Sequence, residues 1–326
     1  QRFDRLVDFF DEHFKDFFDF DSEPYAVFRA NTNLNEFDPR TEGLPNGLSR
    51  QFATRTAVLD VPLDDITSSQ AEISIPGMKP RKHMEVSRIA QNVAQYGHGI
   101  RIMFELGCGK GFLTNYLAMM SGSEGNFIGI DHDQCSLKQA KKTAQDLGLD
   151  SRFIHSDAES IHYDEFAGSL EPRAVLGLHT CNYLADRIVQ SGANLIVVAP
   201  CCYHDMDPEH YFISSHGKTV VENSNIPPDD ILGELATAHG LCIGLAGDFS
   251  THVMETEDRL GDAGPDYTNT MLQALTLMKR FWGEPASALL ALDRAVYLQE
   301  QGYTTEVSTF SEGTLTPGNI LITAYR

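Results

Sequence analysis

The sequence predicts an α/β protein with a mostly parallel, seven-stranded, Rossmann-like sheet that an antiparallel C-terminal hairpin completes. Three observations predict this fold. Short apolar runs alternate with helical patterns over 78–204, as in parallel sheets with crossover helices. A glycine-rich turn, Glu105-Leu-Gly-Cys-Gly-Lys-Gly111, follows the first of these runs. Two more strand patterns, at 303–310 and 319–325, flank a Gly/Thr/Pro turn near the end of the chain.

Apolar periodicity places the remaining elements along the chain. Strands are predicted near 101–106, 126–131, 152–155, 174–179 and 195–200. Helices are predicted near 82–96, 111–121, 134–147, 158–167 and 182–191. Beyond residue 203 the alternation stops, and helices are predicted at 229–239, 266–282 and 285–299, with an apolar run at 241–246. The N-terminal part has a helical pattern over 1–22 and short possible strands at 51–59 and 71–75.

These patterns divide the chain into four segments. Residues 1–77 are an N-terminal appendage, and residues 78–204 are the Rossmann-like domain. Residues 205–299 interrupt the alternation and are expected to form a mostly helical insertion that covers the substrate side. Residues 300–326 are the hairpin that completes the sheet.

The net charge limits the binding partners, and the cysteine usage indicates the cellular compartment. The net charge of −21 opposes unaided binding to a nucleic acid, because phosphate backbones need a basic surface. The one basic candidate is Lys79-Pro-Arg-Lys82, which is also typical of a solvated helix start. Six cysteines without a regular spacing indicate a reducing compartment, so we expect a cytoplasmic protein. No apolar run reaches 18 residues, and no membrane span is expected.

The spacing of the glycine turn indicates which ligand it holds. Gly107, Gly109 and Gly111 alternate, so the backbone can adopt positive φ, and a side chain at Gly107 or Gly109 would occupy ligand space. Glu105 places a carboxylate at the rim of the crevice beyond the strand ends. The pattern is neither the dinucleotide fingerprint nor a P-loop. It resembles the first motif of class I S-adenosylmethionine (SAM) methyltransferases, although a glycine-rich turn of another α/β protein remains an alternative.

Acidic residues follow the next two strands. Asp131 lies 20 residues beyond Gly111, the distance at which an acid accepts hydrogen bonds from ribose hydroxyls. The alternative is a solvated acid or the cap of the helix that starts near Cys135. Asp157 follows the third strand, where class I methyltransferases have the acid that accepts from the adenine amino group. Asp157 is equally able to cap a short helix.

The fourth and fifth strands end in Gly177-Leu-His-Thr-Cys181 and Pro200-Cys-Cys-Tyr-His204. Both ends are expected at the same crevice as the glycine turn, where the methyl donor and its acceptor meet. Two other interpretations stay open. Cys181, Cys201, Cys202 and His204 are a possible set of four metal ligands, although adjacent cysteines rarely chelate one zinc, so no metal is assigned. The cysteines are also small buried residues that pack strand ends.

Together these blocks resemble the "methyltransferase domain 32" group, which includes the methyltransferase-like 25 proteins and is related to a class of tRNA 2′-O-methyltransferases. The resemblance covers about 78–204 and the final hairpin, through Arg81-Lys82 with Glu85-Val86, the glycine turn and the two strand ends. It implies the class I fold with SAM as cofactor. Two departures leave the acceptor open: His83 stands one place early relative to the family, and Asn182 replaces a usual glycine. The implied cofactor-binding residues are Lys82, Glu85, Glu105, Gly107, Gly109, Gly111, Asp131, His132, Asp157, Ala158 and His179.

The implied reaction is in-line transfer of the methyl group to an acceptor that the enzyme positions and, where needed, deprotonates. The implied catalytic residues are His204 and His179 as candidate bases, Tyr203, which orients or stacks on the acceptor, and Cys201. The negative charge favours a small-molecule or protein acceptor. Two alternatives are an RNA methyltransferase, which the family's relatives favour, and a non-catalytic SAM-binding module, because donor residues bind without performing chemistry.

Overall fold

A computed structural model describes residues 1, 3–8, 73–122, 125–158, 161–167, 172–203, 206–224, 226, 269–310 and 320–326, with the backbone alone for 269–284. Two compact units divide the chain. One unit comprises Val61–Cys201 and Tyr297–Arg326 and contains the sheet. The other comprises Gln1–Asp60 and Cys202–Val296.

The sheet has the predicted seven strands, and its order confirms the Rossmann-like fold. The strands are β1 (Ile102–Leu106), β2 (Asn126–Asp131), β3 (Arg152–His155), β4 (Arg173–Cys181), β5 (Leu195–Cys202), β6 (Thr304–Thr309) and β7 (Ile320–Tyr325). They lie in the order β3-β2-β1-β4-β5-β7-β6. β1 pairs in parallel with β2 and β4, whereas β7 pairs antiparallel with β5 and β6. The strand order reverses between β1 and β4, which is where an open α/β sheet binds its ligand.

The helices of the sheet unit begin and end close to the predicted positions. They are α1 (Pro80–Tyr96), α2 (Phe112–Met120), α3 (Gln134–Asp146), α4 (Asp164–Ala167) and α5 (Tyr183–Val189). α4 is much shorter than the helix predicted over 158–167. The apolar face of α1 is buried as its periodicity predicts, with Val86, Ile89, Ala90 and Val93 each at most 1% exposed. This packing fixes the start of α1 beside the sheet unit's core.

Two predicted helices and one predicted strand differ from the structure. The helices predicted at 266–282 and 285–299 are one helix, α7 (Asn269–Glu300), which runs through Pro285. A proline inside a helix costs about 3 kcal/mol, but Leu289 and Leu290 in the next turns are fully buried and offset that cost. Residues 73–75 of the strand predicted at 71–75 have no strand structure. Ile75 instead accepts a hydrogen bond from Met78 N at 3.2 Å in a turn that leads into α1.

The described part of the second unit is helical and is held by a buried carboxylate. It contains a 3₁₀ turn, Pro208–His210, the helix α6 (Ser215–Glu222) and most of α7. Asp293 of α7 accepts hydrogen bonds from Ile213 N at 2.6 Å and Ser214 Oγ at 2.5 Å. Ser214 Oγ in turn accepts from Gly217 N at 2.8 Å and caps α6. The start of α6 is therefore tied to α7 by hydrogen bonds.

Several predictions lie outside the described residues: the strand at 51–59, the helix at 229–239, the apolar run at 241–246 and most of the helix over 1–22, of which residues 3–8 are helical. The covering role of residues 205–299 stays a prediction. Among the described helices, none is both long enough and apolar enough to cross a membrane.

Candidate donor-binding site

The centre of the site is the turn between β1 and α2, and Gly109 is its most open position. All three glycines of the turn have positive φ, 69° at Gly107, 51° at Gly109 and 69° at Gly111. A Cβ built at Gly109 meets no atom within 4 Å, and Gly109 lines a cavity. A ligand can therefore lie directly on the Gly109 backbone.

The other two glycines also serve packing. A Cβ at Gly111 would lie 2.6 Å from the Phe153 ring and 2.8 Å from Ala140 Cβ, so Gly111 lets α2 approach the sheet and α3. A Cβ at Gly107 would lie 2.8 Å from Leu184 Cδ2. Gly111 is thus a close-packing glycine, the role that the dinucleotide fingerprint gives its third glycine.

Asp131 holds the turn in place. Its Oδ2 accepts a hydrogen bond from Gly109 N at 2.7 Å, and its Oδ1 accepts one from Asp133 N at 2.8 Å. A carboxylate has about four lone-pair sites, so both oxygens can still accept from a ligand. Asp133, rather than Asp131, caps α3, since its side chain accepts from Cys135 N and Ser136 N. This excludes the alternative in which Asp131 is the helix cap.

Gly107 lines two cavities. The smaller, of about 250 Å³, is called the nucleoside cavity here because it contains both predicted nucleoside-binding acids. Its lining residues are Gly107, Ile130, Asp131, His132, Ser156, Asp157, Ala158, Cys181, Tyr183, Leu184 and Arg187. The larger, of about 670 Å³, is called the basic cavity. Its lining residues are Gly77, Lys79, Arg81, Lys82, Val86, Glu105, Gly107, Cys108, Gly109, Lys110, Phe112, Leu113 and Leu178.

Glu105 lines the basic cavity, but one of its oxygens is already engaged. Its Oε2 accepts a hydrogen bond from Thr114 N at 2.8 Å and one from the Thr114 hydroxyl. Burial raises the pKa of the Glu105 carboxyl to about 7, although the Thr114 bonds and the Lys82 charge oppose the shift. Burial also raises the pKa of the neighbouring Cys108 thiol, which stays protonated. Glu105 is therefore a buried acid that changes charge near neutral pH.

Glu85 brings the start of α1 and the end of β4 together. Its carboxylate is fully buried, and Oε2 lies 2.8 Å from Lys82 Nζ and 3.1 Å from His179 Nε2. Arg81 Nε lies 3.5 Å from Glu85 Oε1. Lys82, Glu85 and His179 were predicted to bind the cofactor. Of these three, only Lys82 is among the residues that line the two cavities described above. Glu85 holds the other two side chains in position.

The end of β4 has an unusual backbone. His179 has φ of 59° and Asn182 has φ of 50°, values that side chains other than glycine rarely adopt. Such residues often mark functional sites. This backbone places Cys181 at the nucleoside cavity, with its Sγ 3.4 Å from Cys201 Sγ. The structure thus brings two of the predicted strand-end residues together.

Of the other two catalytic candidates, the structure describes Tyr203. Tyr203 belongs to the second unit, is 1% exposed, and its ring centroid lies 5.4 Å from Arg294 Cζ. His204 lies outside the described residues, so its role as a base and the four-ligand metal alternative stay predictions. His132 lines the nucleoside cavity with an 88% exposed side chain.

Sequence reasoning missed one wall of the nucleoside cavity. Tyr183, Leu184 and Arg187 line it from the first turns of α5. No motif marks them, but Tyr183 and Arg187 are four residues apart on a helix that directly follows a strand end, so their shared face was readable from the sequence. Lys110, at the tip of the glycine turn, was also not predicted to line a cavity.

The site and the sheet together define a class. A sheet of this order, a glycine turn after β1 and cavity-lining acids after β2 and β3 are the features of class I methyltransferases. Residues 81–209 match the family model Methyltransf_32, described as a methyltransferase domain. The match and the sheet order together indicate a methyltransferase domain with a class I fold over residues 81–209. No curated protein sequence matches the chain.

Solved structures that are similar to this chain include three methyltransferases. The tRNA (uracil-54, C5)-methyltransferase of Pyrococcus abyssi is 18% identical over 37% of this chain and 29% of its own, with a TM-score of 0.28. A SAM-dependent methyltransferase of Clostridium acetobutylicum is 17% identical over 37% of this chain and 51% of its own, with a TM-score of 0.28. Both matches span less than two thirds of those proteins. Magnesium protoporphyrin IX methyltransferase of Synechocystis is 14% identical over 76% of this chain and 82% of its own, with a TM-score of 0.39.

Proposed function

We propose that this protein is an active SAM-dependent methyltransferase whose acceptor is a small molecule or a protein. The observation that carries the proposal is the pair of cavities that meet at Gly107. SAM is elongated, with a nucleoside at one end and an amino acid at the other. The two cavities offer it two compartments, and the open Gly109 backbone in the glycine turn lines the larger one.

Each compartment has the groups that one end of SAM needs. In the nucleoside cavity, Asp131 accepts from the ribose hydroxyls and Asp157 accepts from the adenine amino group. In the basic cavity, Lys82 faces the carboxylate of the amino acid, and its position is fixed by Glu85. Bound SAM supplies an electrophilic methyl group on its sulfonium. The protein positions the donor against the acceptor and excludes water.

We assign proton removal from the acceptor to His204, with His179 as the second candidate and with Tyr203 and Cys201 shaping the acceptor side. His179 has a buried carboxylate partner in Glu85, an arrangement that orients an imidazole ring. Cys201 lies beside Cys181 at the rim of the donor site.

The net charge supports a small-molecule or protein acceptor, whereas the family resemblance supports RNA. The net charge of −21 disfavours a polyanionic acceptor such as RNA. The resemblance to methyltransferase-like 25 proteins and related tRNA 2′-O-methyltransferases makes RNA the alternative. Steep loss of activity with added salt would favour RNA, since phosphate contacts are salt-dependent. The cysteine usage supports a reducing compartment, and we propose the cytoplasm.

A matched glycine pair tests donor binding. Gly109 and Gly122 have φ of 51° and 64°, and at both positions a Cβ meets no atom within 4 Å. Alanine therefore adds a similar backbone cost, about 1 kcal/mol, at each. We expect Gly109→Ala to weaken SAM binding at least tenfold in calorimetry and Gly122→Ala to leave it unchanged, because only Gly109 lines the cavity. Wild-type protein that ignores SAM, or equal effects of both variants, would refute the donor site. SAM binding without production of S-adenosylhomocysteine on any acceptor would indicate the non-catalytic module.

A further inference from the structure

The larger cavity is basic in a chain that is strongly acidic. Four cationic side chains line it, although the whole chain has 25 basic against 46 acidic residues. Lys79, Arg81 and Lys82 lie at the start of α1, and Lys110 lies at the tip of the glycine turn. These residues come from two segments that approach each other only in the folded chain, so the basic lining is a tertiary feature.

Among the described residues, acidic side chains neutralise only part of this positive charge. Lys82 and Arg81 share the single carboxylate of Glu85. Glu105, the one acid in the lining, has an oxygen engaged by Thr114. Among the residues that the structure describes, no carboxylate lies within ion-pair distance of Lys79 or Lys110. Both of these lysines are exposed toward solvent, so each is available to a ligand.

The methyl donor does not supply the missing negative charge. SAM has a carboxylate, an ammonium group and a sulfonium, and so its net charge is +1. One cation suffices for its carboxylate, so the other cationic side chains of the lining gain no counter-charge from the donor. Like charges brought together in a cavity repel, and an anion between them removes the repulsion. A second, anionic occupant of the basic cavity therefore complements both the lining and the donor.

We propose that the methyl acceptor is a small anionic molecule, bearing a carboxylate or a phosphate group that Lys79 and Lys110 bind in the basic cavity. This inference rests on the proposed function. The cavity of about 670 Å³ is in the range of small-molecule sites and has room beyond the amino-acid end of SAM. The surrounding charge of −21 repels a long polyanion but admits a compact acid into a locally positive cavity.

Amine footprinting tests the proposal with simple anions as probes. Wild-type protein with S-adenosylhomocysteine bound is acetylated briefly in phosphate, in acetate or in chloride at one ionic strength, and modification is read at each lysine by mass spectrometry. Lys141 on the exposed side of α3 is the internal control. We expect phosphate or acetate to slow modification of Lys79 and Lys110 by about tenfold at saturation, as charge-assisted hydrogen bonds would. Lys141 should be unaffected.

The two probes separate the sources of the anion. Protection by phosphate alone assigns a phosphorylated acceptor, protection by acetate alone assigns a carboxylic acid, and protection by both supports the shared chemistry. Modification rates of Lys79 and Lys110 that are the same in phosphate, acetate and chloride overturn the inference. If SAM still binds in calorimetry in that case, the proposed function survives. If SAM does not bind, both fail.

A variant pair checks that the two lysines act on one ligand. In Lys79→Met, the concentration of the protecting anion needed to shield Lys110 should rise about tenfold, because one of two charge contacts is lost. Lys141→Met should leave that concentration unchanged. Lys79 is exposed and precedes α1, so its replacement removes charge without disturbing the core. If Lys110 in Lys79→Met is protected at the same anion concentration as in wild type, the two lysines do not share one anion site.

Discussion

Replacing Glu105 by glutamine should change how the stability of this protein depends on pH. The Glu105 side chain is 5% exposed, and burial raises the pKa of its carboxyl from 4.5 to about 7. Glutamine has nearly the same shape, and its amide oxygen can accept the hydrogen bond that Thr114 N donates at 2.8 Å. The substitution therefore removes the ionisation while it keeps the main contact.

The sign of this pH dependence follows from comparing proton binding in the folded and unfolded states. The folded protein keeps the Glu105 proton up to about pH 7, whereas the unfolded chain loses it near pH 4.5. Between these values the folded state binds more protons, so the free energy of unfolding falls as pH rises. The stabilising contribution of the protonated acid is fully present below pH 4.5 and is lost as pH rises through about 7.

The size of the change in the free energy of unfolding follows from the pKa shift of Glu105. A change from 4.5 to about 7 corresponds to about 3 kcal/mol, at about 1.4 kcal/mol for each pH unit. Other groups titrate in the same range, so the useful quantity is the difference between wild type and Glu105→Gln. Glu105→Gln should gain up to about 3 kcal/mol relative to wild type between pH 4.5 and pH 7.5.

Urea unfolding at several pH values measures this difference. The two proteins should converge at low pH, where Glu105 is neutral in both states, and diverge as pH rises. Parallel stability curves from pH 4.5 to 7.5 would refute the argument, because they would mean that the folded and unfolded states hold the Glu105 proton equally. A uniform loss of stability at every pH would instead show that the amide does not replace the carboxyl toward Thr114.

Two further predictions concern other carboxylates. Asp131→Ala should weaken SAM binding by about 1–3 kcal/mol in calorimetry, because it removes a charged acceptor and the anchor of Gly109 N. The control Asp133→Ala removes the cap of α3 and should lower the melting temperature while SAM affinity stays the same. Equal SAM affinity in both variants would make Asp131 structural. Asp293→Ala should cost about 3 kcal/mol in urea unfolding, since Ile213 N and Ser214 lose their buried acceptor. Asp207→Ala, which removes an exposed cap of the 3₁₀ turn, should cost about 1 kcal/mol or less, and a similar cost for both would contradict the central role of Asp293.

Much of the sheet unit was predictable because its elements are locally encoded. The strands near 126–131 and 152–155 were placed to the residue, since apolar runs bounded by glycines and acids leave few alternatives. The failure at Pro285 has the opposite origin. A proline normally ends a helix, and only the burial of Leu289 and Leu290 in the folded chain explains why α7 continues through it.

Some residues of the candidate site were also predictable from the sequence, whereas others depend on the fold. Gly109 and Asp131 were identified from spacing, because a tight turn and a strand-end acid are sequence-local features. The role of His179 was not, because its partner Glu85 lies 94 residues earlier, and no spacing rule connects the two. The wall formed by Tyr183, Leu184 and Arg187 likewise depends on how α5 packs beside the glycine turn.

The sequence by itself determined the order of strands and helices, the glycine turn and the acids that define the class I site, because each depends on backbone conformation and short-range periodicity. Only the tertiary structure decided which charges meet. It placed Lys79 and Lys110 around one cavity, directed Lys82 and His179 to the same buried carboxylate, and brought Cys181 within 3.4 Å of Cys201. Pairing of distant side chains depends on the packing of whole elements, and that packing is a property of the folded chain rather than of any one segment.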